Sequence, residues 1–517
     1  MNDHKILKNS YFDSVTLMST TVSIKKEMNL SELVMFMGTE MNKEMIKSVG
    51  LYHPDMDLAE PNDLIIACTI THENKLWADE VVKRLSSRKK SSHTEVQSPK
   101  TISQAKEQLD ANLAVISVPG IYAAHEAFKA LENNMHVMLF SDNVSIEDEV
   151  ALKKLGQSKD LLVMGPDCGT AIINGKGLCF ANQVKRGPIG LVAASGTGLQ
   201  EVTVIIDRFN GGISEGIGVG GRDLSEQVGG IMMLKGIDAL DNDPDTQVIV
   251  LISKPPHKSV HEAIINRLQT ITKPVVVCFL DAKNTTSIPG VHFVSTLTEA
   301  AVMALSLCGI QTPSLTILDH DIMTQISSLR QYFKPNQNAI KGLFCGGTLT
   351  AEALSVIRPF VNHLTSNVAK KAEEKMKDPL KSEGHNLVDL GDDIFTQGKP
   401  HPMIEPSIRN DRIILEAKRP ETAVILLDFE LGIGSHADPV GVTLPAIEEA
   451  IQISKQLGKK IVFVAYVCGT NQDYQGLVSA EERLHRAGVI LGQTNAHAAI
   501  IAAHLVQEGS HEHSKTV

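Results

Sequence analysis

The feature that most constrains this chain is a regular alternation, from Leu113 onward, of short β-branched runs with amphipathic helical segments. Such alternation is typical of βαβ units, in which parallel strands form a sheet and helices cover its faces. We therefore predict an α/β fold with tandem doubly wound parallel-sheet domains. The predicted strands are Leu113–Val118, Val137–Phe140, Leu161–Met164, Ile189–Ala194, Val248–Ile252, Pro274–Leu280, Gly342–Cys345, Ala423–Asp428 and Lys460–Tyr466.

Part of this pattern occurs twice. Gly190–Glu201 (GLVAASGTGLQE) is echoed by Gly342–Glu352 (GLFCGGTLTAE), and Thr246–Leu251 (TQVIVL) is echoed by Thr422–Leu427 (TAVILL). In both copies a helical segment and a further strand follow. Internal repeats of this length predict two tandem domains of one fold, each a doubly wound sheet of about five strands.

The region before Leu113 has a different pattern. Two apolar runs, Leu33–Met37 and Leu64–Ile70, read as strands, and helical periodicity covers Ser14–Lys25 and Leu76–Leu85. These elements predict a small α/β module over residues 1–85. A Ser/Lys-rich stretch without an apolar stripe follows, and we interpret residues 86–102 as a linker.

Charge and cysteine content exclude several classes of protein. The net charge is -11, with 49 basic and 60 acidic residues, which argues against nucleic acid as a partner. No apolar run approaches the roughly 18–20 residues that span a bilayer, and the N-terminus has no signal-like apolar segment. The 7 cysteines are scattered and include no CxxC pair, as in proteins with reduced thiols. We expect a cytoplasmic protein without a membrane partner.

Two glycine-rich loops are the strongest candidates for ligand binding. Each follows a predicted strand and precedes a helix, and ligands of parallel sheets bind beyond the carboxyl ends of strands. Glycines let backbone N–H groups converge on an anion at a helix N-terminus. The alternative is an ordinary helix cap and tight turn. The candidate anion-binding residues are Ser195, Gly196, Thr197 and Gly198 in the first loop and Cys345, Gly346, Gly347 and Thr348 in the second.

Two further clusters follow in the same half of the chain. In Gly165–Thr170, the turn residues Gly165 and Pro166 precede Asp167, and Asp167 and Thr170 are candidates to orient a polar ligand; a rigid loop is the alternative. Cys168 has no neighbouring base, so a buried inert thiol is favoured over a nucleophile. Gly216–Asp223 reads as a flexible turn that presents Arg222 to an anion, unless Arg222 pairs with Asp223 or Asp207.

The last third of the chain contains the densest run of polar loops. Asp389, Asp392 and Asp393 precede His401, and His436 follows a predicted strand. Histidines and carboxylates at strand ends are suited to proton transfer or substrate positioning, although a loop histidine can also be purely structural. The acidic spacing matches no calcium or zinc pattern, so we assign no metal site. No standard nucleotide-binding loop is evident either.

These motifs resemble known proteins. Residues 103–310 resemble the α-subunit of succinyl-CoA synthetase, through GPDC (Gly165–Cys168), ASGTG (Ala194–Gly198) and TKPVVV (Thr272–Val277). Residues 341–506 resemble the carboxyl-terminal ligase domain of its β-subunit. The whole chain resembles FdrA-type proteins, through MGPDCGTAIING, LFCGGTL and GSH-DPVG among others.

The resemblance implies a domain order. Residues 103–187 would form a partial Rossmann-type CoA-binding-like domain, and residues 188–312 an α-like ligase domain. Residues 340–510 would form a β-like ligase domain that carries a polar insertion at 362–386.

The chain departs from the synthetases at their phosphohistidine. The strand predicted at Pro274–Leu280 is followed by Asp281–Gly290, which runs almost directly into the next strand, so the loop that carries the phosphohistidine is missing. His292 lies inside that next strand and does not inherit the role. The carboxylate that supports the phosphohistidine would fall near Lys254. Because no ATP-grasp domain is present, an ATP-driven phosphohistidine ligase acting alone is not expected.

FdrA-type proteins are associated with anaerobic purine and allantoin breakdown. The resemblance therefore implies a subunit of an oxamate carbamoyltransferase, which converts oxalurate and phosphate into oxamate and carbamoyl phosphate. The two glycine loops would bind phosphate, while Arg222 and Lys254 neutralise charge and His401, His436 or Asp393 orient the substrate or move protons. Phosphate is then a substrate or ligand.

Two alternatives stay open. One is an acyl-CoA ligase activity with CoA held near Gly165–Thr170, and the other is a non-catalytic scaffold or regulator. In each case we expect partner subunits from the same operon, and the chain could also form a homo-oligomer.

Overall fold

The computed structural model describes residues 2–12, 17, 20–21, 24–25, 30, 32–69, 77–78, 81–83, 99–282, 287–397 and 399–507. The chain divides into two compact units. The first unit holds Met1–Ser98 with Thr396–Pro400, and the second holds Pro99–Phe395 with His401–Val517. Residues 84–98, which include most of the predicted linker, lie outside the described residues. Among the helices in the described ranges, none is long and apolar enough to cross a membrane.

An antiparallel sheet forms the first unit. Its strands are β1 (Asn2–Leu7), β2 (Leu33–Met37) and β3 (Leu64–Thr69), in the order β1-β3-β2. On one face, helix α1 (Glu40–Ser48) and a 3₁₀ helix (Pro54–Leu58) bury apolar residues against the sheet. The predicted strands β2 and β3 are confirmed. Sequence patterning missed β1 because NDHKIL is mostly polar and forms a partly exposed edge.

The two helices predicted for this unit are only partly described. Within Ser14–Lys25 and Leu76–Leu85, the residues that the structure describes are helical, and the others lie outside the described ranges. Leu17, Ile24, Trp77 and Val81 are buried in a cluster on the second face of the sheet.

The second unit contains three sheets. A parallel sheet comprises β4 (Leu113–Ile116), β5 (His136–Leu139) and β6 (Val163–Met164). A seven-stranded sheet comprises β7 (Thr170–Ile173), β8 (Lys176–Cys179), β9 (Arg186–Ala193), β10 (Ile213–Gly218), β11 (Val248–Ser253), β12 (Val275–Phe279) and β13 (Val291–Val294). A six-stranded sheet comprises β14 (Ala339–Phe344), β15 (Thr365–Ser366), β16 (Asn386–Asp389), β17 (Thr422–Glu430), β18 (Val462–Cys468) and β19 (Ile490–Leu491).

Helices connect these strands and cover the sheets. Those associated with the first two sheets are α2 (Ile102–Leu109), α3 (Gly120–Glu132), α4 (Ile146–Ser158), α5 (Gly196–Arg208), α6 (Ile231–Asn242), α7 (Lys258–Leu268) and α8 (Leu297–Leu307). Then follow α9 (His320–Arg330), α10 (Gly347–Ile357), α11 (Asp393–Thr396), α12 (Ser407–Lys418), α13 (Pro439–Gln456), α14 (Leu477–Arg486) and α15 (Asn495–Val506). A 3₁₀ helix (Ala372–Glu374) precedes β16.

The two large sheets share one strand topology. The seven-stranded sheet has the order β13-β12-β11-β9-β10-β7-β8, and the six-stranded sheet has the order β15-β16-β14-β17-β18-β19. When β7 and β8 of the first sheet and the short edge strand β15 of the second are left out, each sheet has its first strand (β9 or β14) between the second and the third, which is the flavodoxin-like order 2-1-3-4-5. The predicted α/β class with tandem doubly wound sheets is therefore confirmed. Helices α5 and α10 contribute to one continuous apolar core.

Parallel strands that are covered on both faces read as unbroken apolar runs. β11 (VIVLIS) and β17 (TAVILLDFE) are buried along their whole length. Their hydrophobic composition is what made the strands predictable. Charged residues occur in β17 only at its carboxyl end, at Asp428 and Glu430.

The structure corrects two local predictions. Gly216–Gly218, expected in a flexible turn, form the buried end of β10. Gly218 is needed there because a Cβ at this position would lie 2.3 Å from the Thr170 carbonyl oxygen. The polar stretch 362–386 is not simply an exposed insertion, since it supplies the edge strand β15. In addition, β7 and β8 extend the seven-stranded sheet, although they precede residue 188, where the predicted ligase domain begins.

Candidate functional site

The first glycine loop joins β9 to α5. Ser195 is the N-cap of α5, and its Oγ accepts a hydrogen bond from the Gly198 N–H at 3.0 Å. The first N–H groups of a helix have no acceptor within the helix. Among the described residues, nothing accepts a hydrogen bond from the backbone N–H groups of Gly196 and Thr197. The loop therefore presents two unpaired donors at the positive end of the helix dipole.

The second glycine loop joins β14 to α10, and it is partly occupied by a carboxylate of its own chain. The N–H groups of Cys345 and Gly346 donate to the buried Asp428 carboxylate, at 2.8 and 3.1 Å. Over the part of the chain that the structure describes, the N–H groups of Gly347 and Thr348 have no acceptor. This loop thus also retains two unpaired donors.

The two loops, which we call the paired loops (Ser195–Gly198 and Cys345–Thr348), meet. Ser195 Oγ and Thr348 Oγ1 are 2.6 Å apart and share a hydrogen bond. A Cβ on Gly346 would lie 2.9 Å from Thr197 Cγ2, so a larger residue at this position would force the loops apart. The structure therefore brings the two predicted segments into direct contact.

Asp389 lies beside the second loop, at the end of β16. A Cβ on Gly347 would lie 2.5 Å from Asp389 Oδ2, which shows how closely the carboxyl group approaches the first turn of α10. Burial raises the pKa of Asp389 to about 7, against the opposing charge of Lys254. A carboxyl group with this pKa exchanges a proton near neutral pH.

His401 is a neutral hydrogen-bonding group in this site. Its Nδ1 accepts a hydrogen bond from the Met403 N–H at 3.2 Å, which places the proton of the neutral ring on Nε2. Nε2 faces Gly391, where a Cβ would lie 2.4 Å away, and the ring packs against Phe180. Burial lowers the pKa of His401 to about 4. The side chain is thus a fixed donor near neutral pH.

Lys254 and Asp167 are candidate site residues next to strands of the seven-stranded sheet, and the charge of Lys254 acts on Asp389 beside the second loop. Lys254 directly follows β11, whose Ile252 carbonyl accepts a hydrogen bond from the Ala194 N–H beside the first loop. Asp167 is partly accessible to solvent, but the surrounding protein desolvates its carboxyl group and raises the pKa of Asp167 to about 6. Asp142 and Asp393 raise this pKa further, whereas Arg222 and Lys254 oppose them. Asp167 is therefore an exposed carboxyl group on which charges of both signs act.

Asp393 is the first residue of α11 and is exposed. Burial of its carboxyl group and the charges of Asp142 and Asp392 raise its pKa. Its charge also raises the pKa of Asp167, so the two carboxyl groups lie near each other.

Arg222 has a different partner from either one considered in the sequence. Its guanidinium pairs with the buried Glu149 carboxylate at 2.9 Å and donates to the Val144 carbonyl at 2.7 Å, so pairing with Asp223 or Asp207 is wrong. Glu149 in turn binds the fully buried Lys153, which also binds Asp223. Arg222 is therefore held in a structural network, with 45% of its side chain exposed to solvent.

The Gly165–Thr170 loop packs against the first glycine loop. A Cβ on Gly196 would lie 3.2 Å from Thr170 Oγ1. The Thr170 hydroxyl donates to the Phe180 carbonyl at 2.6 Å and is thus committed to the fold. The Gly165–Pro166 peptide bond is cis. Burial raises the pKa of Cys168 to about 12, which confirms the interpretation of an inert thiol.

His436 is joined to the His401 loop through the backbone. Its N–H donates to the Met403 carbonyl at 2.8 Å, and its Nδ1 accepts from the Asp438 N–H at 2.9 Å. Asp438 caps α13 and pairs with Arg483. Within the described residues, no hydrogen bond joins the His436 side chain to either glycine loop, so its predicted catalytic role finds no direct contact here.

Sequence reasoning missed a buried group beneath the second loop. Cys345, Asp428 and Glu430 place ligand-type atoms within 4.8 Å of one another. The Arg409 guanidinium donates to Cys345 Sγ at 2.9 Å and to the Asp428 carbonyl, so the positive charge at this position comes from the chain itself. Burial and the neighbouring Asp428 raise the pKa of Glu430. The alternation of charged and apolar residues at the end of β17 is the sequence signal for this group.

A second missed group lies between α5 and α10. Glu201 and Glu352 each stand six residues after a helix cap, Ser195 or Gly346, and both are fully buried. Asn495 bridges them, donating from its backbone to Glu201 at 3.1 Å and from its side chain to Glu352 at 2.7 Å. Burial and mutual repulsion raise the pKa of Glu352. The internal repeat is the sequence signal for this pair, because Gly190–Glu201 and Gly342–Glu352 both end in the glutamate concerned.

Three family models match the chain. One described as "CoA-ligase" matches residues 343–505, and one described as "CoA binding domain" matches residues 184–280. One described as "AllF, heavy metal-associated domain" matches residues 1–103. The CoA-binding match falls on the seven-stranded sheet rather than on residues 103–187, to which the sequence prediction assigned the CoA-binding-like domain.

Relatives match at two levels. The "Uncharacterized protein YahF" of Escherichia coli (strain K12) is 45% identical over 509 residues, which cover 98% of each chain. The alpha subunit of the ADP-forming succinate–CoA ligase of Aquifex aeolicus (strain VF5) is 27% identical over 181 residues. That match covers 34% of this chain and spans only 58% of the relative.

Solved structures match more distantly. The dinucleotide forming acetyl-coenzyme A synthetase 1 of Ca. Korarchaeum cryptofilum, in complex with phosphate and ADP, is 14% identical with a TM-score of 0.31, over 84% of this chain and 93% of that one. ATP citrate lyase from Methanothrix soehngenii is 17% identical with a TM-score of 0.34, over 62% of this chain and 56% of that one. These scores are too low to support a functional comparison.

Proposed function

Because this chain belongs to the FdrA-type proteins of the succinyl-CoA synthetase-like superfamily, we propose that it is an enzyme subunit that transfers a carbamoyl or acyl group to or from phosphate at the paired loops. The observation that carries the proposal is the meeting of two helix N-termini, with Ser195 Oγ 2.6 Å from Thr348 Oγ1 and two unpaired N–H donors on each side. Converging N–H groups and two positive dipole ends favour a phosphate-like anion.

The preferred reaction is the phosphorolysis of oxalurate. A phosphate oxygen attacks the ureido carbonyl carbon, and the bond from that carbon to the nitrogen retained in oxamate breaks. That nitrogen receives the proton that phosphate gives up, so the products are carbamoyl phosphate and oxamate. The paired loops hold the phosphate, and preorganised donors of this kind stabilise charge that develops in the transition state.

The neighbouring side chains have distinct roles in this proposal. Asp389, with a pKa of about 7, relays the proton from phosphate to the leaving nitrogen. His401 donates from Nε2 to the substrate, and Lys254, whose charge also acts on Asp167, offsets the negative charge of the substrate. No phosphohistidine is required. His292, the only histidine of β13, lies inside that edge strand, paired with Val276 of β12.

A CoA-dependent ligase is the second candidate. It is favoured by the CoA-ligase and CoA-binding family matches, which cover β9 to β12 of the seven-stranded sheet and nearly all of the six-stranded sheet. In this candidate the paired loops hold a phosphoryl group, while CoA lies near Gly165–Thr170. Calorimetric titration with CoA separates the two, because oxalurate phosphorolysis requires no CoA binding.

The test is an assay of carbamoyl phosphate formation from oxalurate and phosphate, with the chain purified together with the products of neighbouring genes. We expect phosphate-dependent turnover that falls at least about tenfold in the Ser195→Ala/Thr348→Ala double variant. Ser327→Ala, on the exposed face of α9, serves as the matched control. Turnover that is unchanged in the double variant would instead support the scaffold or regulator alternative.

A further inference from the structure

The chain directly after the edge strand β15, in the stretch predicted as a polar insertion, lies beside the second loop. Asn367 exchanges two hydrogen bonds with the backbone of Asp389. Its side-chain amide donates to the Asp389 carbonyl and its side-chain oxygen accepts from the Asp389 N–H, each at 2.9 Å. A Cβ on Gly347 would lie 4.0 Å from Val368 Cγ1, which is ordinary van der Waals contact. This segment therefore adjoins both the second loop and the carboxyl group next to it.

Two residues after Val368, the Lys370 side chain reaches the turn that follows β11 of the seven-stranded sheet. Its Nζ lies 3.4 Å from the Pro255 carbonyl oxygen. Lys254 precedes Pro255 in this turn, and its charge acts on Asp389. Burial lowers the pKa of Lys370, and the nearby charge of Lys254 lowers it further. Two positive groups, one next to each large sheet, therefore lie close to each other.

The segment that carries Lys370 is anchored on both sides. On one side, Asn367 is bound to the end of β16 through Asp389. On the other side, Glu374, in the 3₁₀ helix before β16, accepts hydrogen bonds from Arg358 at 2.5 and 3.0 Å. Arg358 also donates to both carboxylate oxygens of Asp281, at 2.8 and 2.9 Å. A group on a segment that is already ordered loses less freedom when a ligand binds.

The cations of this region differ in their partners. Arg358 occupies the carboxylates of both Asp281 and Glu374. Within the described residues, neither Lys254 nor Lys370 forms an ion pair with a carboxylate. Two neighbouring ammonium groups without a counter-ion repel each other, and an anion bound between them removes that repulsion.

We propose that Lys254 and Lys370 bind the carboxylate of the substrate while the paired loops hold phosphate. This inference rests on the proposed function, and it names the substrate class as a small amide or ureide whose acyl part ends in a carboxylate. Ammonium groups bind carboxylates through charge-assisted hydrogen bonds. The carboxylate end of the substrate then lies at the lysines, and its carbamoyl end lies at the loops. Lys370 is thus a specificity-determining residue, and it was not among the site residues predicted from the sequence.

The test is calorimetric titration of the full chain with oxamate at pH 7 in the presence of phosphate. Lys370→Met keeps the length of the side chain but removes its charge, so we expect it to bind oxamate at least about tenfold more weakly than the unmodified chain. Lys370→Arg should retain most of the affinity, because a guanidinium also binds carboxylates. Lys377→Met, at an exposed position further along the same stretch, is the matched control and should bind oxamate as the unmodified chain does.

A neutral ligand and phosphate itself distinguish the outcomes. Oxamide, in which an amide replaces the carboxylate, should bind more weakly than oxamate and should not lose further affinity in Lys370→Met. Phosphate affinity should change by less than about threefold in that variant, because charges interact weakly across solvent. Equal oxamate affinity of Lys370→Met and the unmodified chain, or no oxamate binding by the unmodified chain, would overturn the inference. Absence of phosphate binding, with oxamate binding still dependent on Lys370, would instead contradict the proposed function alone.

Discussion

At the residue scale, single side chains owe their chemistry to neighbours that are distant in sequence. Asp389 was recognisable as part of an acidic run, yet its raised pKa comes from burial against the first turn of α10. His401 was recognisable as a loop histidine, but its burial and fixed tautomer depend on Phe180 and Met403. Arg222 was predicted to meet an anion, and its partner Glu149 lies 73 residues away on α4. Such contacts follow from tertiary packing, which local sequence patterns do not encode.

The pKa of Asp389 predicts a pH dependence of anion binding. A neutral carboxyl tolerates an anion at the second loop, whereas the ionised form repels it, so affinity should fall as the pH rises through about 7. Sulfate is the suitable probe because its charge is constant in this range. We expect sulfate affinity, measured by calorimetry, to fall about tenfold from pH 6 to pH 8.

Asp389→Asn should abolish most of this pH dependence while retaining sulfate binding at pH 6. Asp411→Asn, on the exposed face of α12, is the matched control and should titrate like the unmodified chain. An Asp389→Asn variant with the original pH profile would assign the effect to another group, with Asp167 the first alternative.

At the element scale, the sequence predicted most of the parallel strands and both glycine loops, because buried strands are long apolar runs and the loops carry Gly, Ser and Thr. It missed β10, β15 and β16, whose glycines and polar residues resemble turns. It also missed the symmetric Glu201–Glu352 pair, because the buried face of a helix is expected to carry apolar residues and not carboxylates. The only sequence signal for this pair is the internal repeat, in which Glu201 and Glu352 occupy equivalent positions.

The buried Glu201–Glu352 pair predicts a pH effect on stability. The pKa of Glu352 is raised in the folded state, so its contribution to the free energy of unfolding is fully present below its ordinary pKa of 4.5. That contribution is lost as the pH rises through the folded value. We therefore expect Glu352→Gln to raise the melting temperature at pH 8 relative to the unmodified chain, and less so at pH 5.

Scanning calorimetry at both pH values checks this prediction. Glu373→Gln, at an exposed position, is the control and should leave the melting temperature unchanged at either pH. If Glu352→Gln is destabilising by the same amount at pH 5 and pH 8, the hydrogen bonds of Glu352 to Leu297 and Asn495 matter more than its charge.

At the scale of the whole molecule, the second unit is held together by groups that join its sheets. Lys153 of α4 is fully buried and binds Glu149 of the same helix at 2.8 Å. It also binds Asp223, which lies after β10 of the seven-stranded sheet, at 2.8 Å. Asp223 accepts hydrogen bonds from the first N–H groups of α6. The small parallel sheet is thus tied to the seven-stranded sheet through one ammonium group.

Removing that ammonium group leaves two buried carboxylates without their shared cation. We expect Lys153→Ala to lower the free energy of unfolding of the second unit by about 3–5 kcal/mol, as for other broken buried ion pairs. Chemical denaturation of the full chain, followed by circular dichroism, measures the loss. Lys154→Ala, the exposed neighbour, is the matched control and should change stability by less than about 0.5 kcal/mol.

The central claim is that the paired loops bind phosphate, and one substitution tests it most directly. Thr197→Asp places a carboxylate in the first turn of α5, where it favours the helix dipole but repels an anion held between the loops. Thr197→Asn has the same shape without the charge. By calorimetric titration with phosphate at pH 7, we expect the unmodified chain and Thr197→Asn to bind within about threefold of each other, and Thr197→Asp to bind at least about tenfold more weakly. Equal phosphate affinity of the Asp and Asn variants, or no phosphate binding by the unmodified chain, would contradict the account.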